Sequence, residues 1–188
     1  MSRESQFPKL DPQFLTRWSP RAFSNKPVLK EDLITLFEAA RWSPSCYNEQ
    51  PWLFVYATQK SQHQKFVDVL VPGNQVWAKF APVLVGCFTR RNFKKTGKPN
   101  SCAAFDCGSA WMALSLQAQK LGISCHAMVG FDPKKAYEAA GVSETDYLAI
   151  CMIAIGVSGD KAQLPENLQT REIPNDRLPL QEIAIEKQ

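Results

Sequence analysis

Three apolar runs of strand length, separated by segments of helical periodicity, fix the class of fold open to this chain. The runs are WLFVYAT (Trp52 to Thr58), APVLVGCFT (Ala81 to Thr89) and YLAICMIAIGVS (Tyr147 to Ser158). The first is short, aromatic and β-branched, and reads as a strand buried on both faces. ISCHAMVG adds a shorter extended piece. Between them, SNKPVLKEDLITLFEAARW places Leu33, Leu36, Phe37 and Ala40 at i, i+3, i+4 and i+7, a helix with one buried stripe. Ser43 precedes Pro44 and is pushed out of the helical region, so that helix should end there. QKSQHQKFVDVL is a further helix. CAAFDCGSAWMALSLQAQKLG is the longest, closing at Gly122, and DPKKAYEAAG has Asp132 as N-cap, Pro133 at its first position and Gly141 beyond its end.

This order gives an α+β domain spanning residues 1–188, with no tight βαβ alternation. From about residue 160 the chain changes character. KAQLPENLQTREIPNDRLPLQEIAIEKQ carries three prolines and isolated apolar residues, with EIAIE as a candidate last strand. Such an extended arm has no face of its own to bury and must wrap over its own body or a second copy.

Composition narrows the chemistry. With 188 residues, 45% hydrophobic and 21% charged, the chain suits a soluble globular domain. The formal charge is +4, and TRRNFKKTGK (Thr89 to Lys98) is its one dense basic run. That run reads as a solvated loop or as an anion-attracting rim, and no nucleic-acid-binding motif accompanies it. No apolar stretch is long enough for a membrane span. The polar N-terminal MSRESQFPKLDPQF has no signal-like segment, which makes a reducing cytoplasm the expected location of the six cysteines. Several of these lie in apolar runs as small hydrophobes. Two histidines, His63 and His126, are too few for a zinc site, and no catalytic Ser/His/Asp set can be assembled. The phosphate-loop, G-x-S-x-G and G-x-G-x-x-G patterns are absent. Reactive atoms would have to come from a bound cofactor, with the protein supplying grip and orientation.

Four segments could provide the grip. In TRWSPRAF, Arg17, Ser19 and Arg21 alternate, so in extended backbone they share one side, suited to an anion such as phosphate. In SPSCYN, Ser45, Asn48 and exposed amides offer donors and acceptors in a loop that feeds a strand. CHAMVGFD ends a strand in a turn whose amides are little obstructed, with Gly130 permitting close approach by a ligand. IPNDRLP holds Arg177 between two stiffening prolines. Each segment also has an ordinary structural explanation, and His126 reads as structural.

Together, and in this order, these segments resemble the FMN-dependent nitroreductase family. RWSPRAF is similar to its R-x-S-x-R-x-F opening, AARWSPSCYNEQPWLFV to its P-S-x-x-N-x-Q-P-W segment, FDCGSAWMALSLQAQKLG and the following Gly-Phe-Asp turn to its long helix, and IPNDRLPLQEI to its C-terminal close. The resemblance runs from about Arg17 to Ile183. It implies a central mixed β-sheet flanked by helices, and a homodimer with flavin sites at the interface and C-terminal arms exchanged between subunits. By the same resemblance Arg17, Trp18, Ser19 and Arg21 contact the FMN phosphate, ribityl chain or ring. Pro44, Ser45, Cys46 and Asn48 support the ring, commonly from the second subunit. Ala127, Met128, Val129 and Gly130 form a turn whose amide points at flavin N5. Arg177 holds the phosphate, and Asp106 is a polar position near the cofactor. The implied activity is hydride transfer from NADH or NADPH through flavin N5 to a nitroaromatic, quinone or enone, in two half-reactions sharing one site. Other flavin chemistry (dehalogenation, dehydrogenation) or flavin binding without turnover are the alternatives. No side chain is assigned as acid or base and no metal is implied. The chain departs from the family in a brief basic loop at 90–101, in Asn175 where many members have Lys, and in Cys46 and Tyr47 where small residues are commoner.

Overall fold

The computed structural model describes residues 3–187. Four strands, β1 (Trp52–Ala57), β2 (Val83–Arg90), β3 (Ser124–Met128) and β4 (Tyr147–Gly156), form one sheet in the order β1-β2-β4-β3. Eight helices accompany it among the described residues: α1 (Gln13–Thr16), α2 (Lys30–Arg41), α3 (Lys60–Val69), α4 (Pro72–Ala78), α5 (Ala103–Lys120), α6 (Pro133–Ala140), α7 (Glu166–Gln169) and α8 (Leu180–Ile183).

The α+β class holds, but the sheet is antiparallel at every pairing and not mixed. Both β2 and β3 run opposite to β4, so they run parallel to each other, as a crossover through α5 requires. The crossover skips one position, and β4 fills the gap in the reverse direction. The parallel relationship encoded by the helical connection therefore never becomes a hydrogen-bonded ladder. Residues 182–186 form no strand here: α8 ends at Ile183, and Ile183 and Ile185 are exposed.

The apolar runs acquire their meaning from the two faces of the sheet. Along β2, Leu84 and Phe88 point into a core with α3, α4 and α6, whereas Val83, Val85 and Cys87 point into a second core with α2 and α5. Along β4, Met152 and Ala154 join the first, and Cys151, Ile153 and Ile155 the second. Both central strands are thus covered on both faces, which is why neither shows polar alternation. β1 lies at the sheet edge and is mostly half-buried, which corrects the expectation of burial on both faces.

Helix ends follow their local chemistry. The α2 stripe buries Leu33, Leu36 and Ala40, while Phe37 packs at 5.7 Å from Phe54 and 5.1 Å from Tyr56 of β1. Asp132 accepts from the Lys134 and Lys135 amides, Pro133 occupies the first turn and Gly141 takes the left-handed conformation (φ 65°) that ends α6. His63 is half-buried, with Nε2 at 2.7 Å from the Ala81 carbonyl, so it packs inward and is not a surface residue.

Candidate functional site

The strip from Arg17 to Phe23 joins α1 to α2 as extended chain laid across the end of β4. Phe23 bridges Ser158, the Ser24 amide donates to the Val157 carbonyl at 2.8 Å, and the Gly159 amide donates to the Ala22 carbonyl at 2.9 Å. A Cβ at Gly159 would sit 2.7 Å from the Phe23 backbone, so this close passage requires glycine. From the other side the C-terminal segment inserts Glu172. Its Oε1 accepts from the amides of Arg21 (2.6 Å) and Ala22 (2.8 Å), and Oε2 lies 3.8 Å from the Arg21 guanidinium. Glu172 is buried, so one carboxylate clamps the strip in place.

The clamped strip presents Arg17, Trp18, Ser19 and Arg21 to one recess of about 220 Å³, lined also by Arg3, His126, Arg171, Ile173, Asn175 and Arg177. Arg17 donates weakly to Ser19 Oγ and to Ser115 Oγ of α5, both at 3.4 Å. Arg177 is exposed, and its guanidinium donates to the carbonyls of Asn175 and Asp176. Arg3 donates to the Arg17 carbonyl at 3.0 Å, and its Nε is buried with no hydrogen-bond partner among the described residues. Burial, with the Arg3 and Arg177 charges beside it, holds the Arg17 guanidinium below its ordinary pKa. Among the described residues the Arg21–Glu172 contact is the one ion pair these five arginines make. Crowded cations with so little internal neutralisation suit a multiply charged anion, and their forked donors suit phosphate.

His126 closes the floor of the recess. One ring nitrogen, Nδ1, lies 2.9 Å from the Pro20 carbonyl; because the carbonyl can only accept, Nδ1 carries the proton. The ring lies 4.7 Å from that of Trp77. Burial pushes the His126 pKa down to about 4, and nearby Arg21 adds to the effect. The sign of the consequence is set by the unfolded chain, which takes up this proton near pH 6.5 when the folded protein does not. Stability is therefore full above about pH 6.5 and falls as pH drops towards 4. The loss should reach about 2–3 kcal/mol at pH 4.5, on a scale of ~1.4 kcal/mol per pKa unit. Urea unfolding of the wild type and of His126→Asn at pH 7 and pH 4.5 measures it, and the variant should lose less.

The turn after β3 lies beside His126. The Val129 side chain is exposed, and among the described residues the amides of Val129 and Gly130 donate to no carbonyl or side chain. Ala127 is half-buried and Met128 is buried in the core. Gly130 is needed for a different reason than ligand approach. A Cβ there would lie 2.7 Å from Asn74 Nδ2 and 2.9 Å from Val71 Cγ2, and Asn74 and the Val71 amide both donate to the Gly130 carbonyl.

The loop after α2 forms a second cluster. Asp106, buried in the first turn of α5, accepts from the Cys46 amide at 3.1 Å. Ser45 Oγ accepts from the Gln50 amide at 3.0 Å. Tyr47, Asn48 and Gln50 all have positive φ (52°, 57° and 48°), three left-handed non-glycine residues interrupted by right-handed Glu49 and flanked by these bonds. Pro44 and Asn48 are exposed, and Ser45 and Cys46 half-buried. None of Pro44, Ser45, Cys46, Asn48 or Asp106 lines the arginine recess. Asp106 and Ser115 mark the two clusters on α5, about 13 Å apart along its axis at ~1.5 Å per residue. Sequence reasoning missed Arg3, Ser115, Arg171 and Glu172. Each is a polar residue without a motif around it, and Glu172 stands in a tail whose composition suggested surface.

No group of three or more His, Cys, Asp or Glu suited to a metal occurs among the described residues, and no described helix is long and apolar enough to cross a membrane. Comparison with known proteins sets these features in a family. The family model described as "Nitroreductase family" matches residues 15–76, which include the arginine strip and the left-handed loop. A Stenotrophomonas maltophilia (strain K279a) protein with the provisional name NADH dehydrogenase/NAD(P)H nitroreductase is 32% identical over 165 residues, 76% of this chain and 83% of that protein. A crystal structure of an oxidoreductase containing FMN superimposes with a TM-score of 0.93 at 40% identity, covering 99% of this chain and 95% of that one. A nitroreductase from Exiguobacterium sibiricum 255-15, crystallised with FMN, shares the fold at a TM-score of 0.77 and 21% identity, with 94% and 96% covered. On the similarity to the Stenotrophomonas protein across most of both chains, this chain belongs to the nitroreductase family.

Proposed function

We propose that the chain is an FMN-dependent NAD(P)H oxidoreductase that works as a homodimer on small-molecule acceptors of the nitroaromatic, quinone or enone type. The observation that carries this reading is the recess itself, where Arg3, Arg17, Arg21, Arg171 and Arg177 make a single ion pair among the described residues. The 40% identity to an oxidoreductase containing FMN names the anion that fits. Arg17, Arg21 and Arg177 would hold the FMN phosphate, with Ser19 and Trp18 along the chain that follows it. The unpaired amides of Val129 and Gly130 would donate to the N5 edge of the ring. When bound, FMN supplies acceptance of hydride from NADH or NADPH and its onward transfer, the two half-reactions using one site in turn.

Dimerisation accounts for what a single subunit leaves apart. The Pro44–Asn48 loop does not reach the recess of its own chain, and would meet the flavin held by the partner subunit. Exposed Trp42 of the same loop region, Phe105 on α5, and Leu178, Ile183 and Ile185 on the C-terminal arm are the apolar surface such an interface would cover. The arm beyond about residue 177 would embrace the second subunit, its earlier part lying on its own body through buried Leu164 and Glu172 and through Ile173, Asn175 and Arg177, which line the recess of their own chain. The cytoplasm is the proposed location, where reducing conditions suit six free thiols.

Anaerobic stopped-flow tests the function. Flavin bound to the purified protein should bleach on mixing with NADH or NADPH and recover its colour on mixing with a nitroaromatic or quinone. Flavin that stays oxidised with both nicotinamide nucleotides would assign the site to binding without turnover.

A further inference from the structure

The basic run at residues 89–98 is an ordered part of the fold. The Phe93 amide donates to the Lys98 carbonyl and the Gly97 amide to the Phe93 carbonyl, both at 2.9 Å, and Asn92 bridges Pro99. Gly97 takes φ 68° at the turn, so the segment is a closed hairpin. Two ties fix its position. Arg91 Nε donates to the carbonyls of Glu144 and Tyr147, and the Lys94 amide donates to Glu49 Oε2 at 3.0 Å. The second tie joins the hairpin to the left-handed loop.

Between the two lies a cleft of about 600 Å³, walled by Tyr47, Phe93 and Pro99 and rimmed by Lys95, Lys98 and Glu49. The Phe93 ring meets Tyr47 edge-on at 6.2 Å and 70°. Tyr47 is 89% exposed and held outward by its positive φ, an arrangement that costs conformational energy and buries nothing. Among the described residues neither Lys95 nor Lys98 has a carboxylate within ion-pair distance, and Glu49, the one acid on the rim, is engaged by the Lys94 amide. Flat apolar walls with a surplus of unpaired ammonium groups match a planar ring bearing a negative charge.

We propose that this cleft selects aromatic anions, so that the acceptor site favours flat substrates carrying a carboxylate over neutral ones, with Lys95 and Lys98 as specificity-determining residues and Tyr47 and Phe93 as the stacking walls. This rests on the oxidoreductase reading for its connection to turnover, because the cleft adjoins the loop that the reading places beside the flavin. The cleft itself can be tested without turnover.

The experiment is calorimetric titration of the FMN-loaded protein with benzoate and, separately, with benzamide, which has the same ring and no charge. Two exposed charge pairs predict a preference of about threefold to tenfold for benzoate, declining as salt is raised. Lys95→Ala/Lys98→Ala should abolish the preference, and Tyr47→Ala should weaken both ligands. Equal binding of benzoate and benzamide overturns the proposal. So does a preference that survives in the lysine double variant, since a charge outside the cleft would then be supplying it. Reduction of the wild-type flavin by NAD(P)H, measured on the same preparation, keeps the two ideas apart. Failure there sinks the oxidoreductase reading, whereas a normal reduction without anion preference sinks only the cleft.

Discussion

The double variant Arg17→Ala/Arg177→Ala should bind FMN about 10²- to 10⁴-fold more weakly and purify colourless, yet folded and dimeric. The magnitude follows from two charge-assisted hydrogen-bonding groups at ~1.5–3 kcal/mol each, with ~1.4 kcal/mol for every tenfold. Folding should be little affected, because neither guanidinium carries much of the fold. The bonds of Arg17 to Ser19 and Ser115 are long, at 3.4 Å, and exposed Arg177 touches only carbonyls of its own loop. Removing Arg17 also relieves crowding with Arg3 and Arg177, the like charges that add to burial in depressing its pKa. Fluorescence titration at fixed ionic strength reads the affinity, and size-exclusion chromatography with circular dichroism reads the assembly and fold. Retention of stoichiometric FMN by the double variant would refute the phosphate assignment.

Glu172→Ala should be the most damaging single change at the site. The carboxylate satisfies two backbone amides, at 2.6 Å and 2.8 Å, and it is buried, so water cannot easily replace it. The buried Ala22 amide left unpaired costs ~1–3 kcal/mol, and the part-buried Arg21 amide adds a smaller amount. The strip from Arg17 to Arg21 would lose its clamp on the side facing the C-terminal segment, and FMN affinity should fall with stability. Glu172→Gln separates the two contributions. Its side-chain carbonyl can still accept from Arg21 and Ala22, so most of the stability should return, while the Arg21 guanidinium loses its counter-charge. Urea denaturation of the three proteins measures the effect. Equal stability of the wild type and the Ala variant would show that the clamp does not hold the strip.

Arg17 and Glu172 mark where the sequence is legible and where it is not. Arg17, Ser19 and Arg21 could be read as one surface because a backbone without helical periodicity puts alternate residues on one side, and all three line one recess, with Trp18 beside them. Glu172 could not, because nothing in TREIPND announces that a carboxylate will be buried against a segment 150 residues away. The four strands and the helices α2, α3, α5 and α6 were readable from period and length, whereas the short helices α1, α4, α7 and α8 and the strand directions were not. Helical connections suggest parallel neighbours, and only the tertiary arrangement shows β4 lying between the parallel pair. Gly130 marks a third boundary: the sequence pointed to a glycine with room around it, while the structure fills that room with Asn74 and Val71. Tyr47 marks the limit of propensity, since an aromatic residue held at φ 52° depends on the Asp106–Cys46 and Ser45–Gln50 bonds on either side.

The central claim is that the arginine recess exists to hold a phosphate at the end of a flavin. Titrating the cofactor-free protein with FMN and with riboflavin, which differ by that phosphate alone, tests it most directly. The account predicts that FMN binds at least about a hundredfold more tightly, since two guanidiniums at ~1.5 kcal/mol or more each supply that ratio. Equal affinity for the two flavins would contradict it.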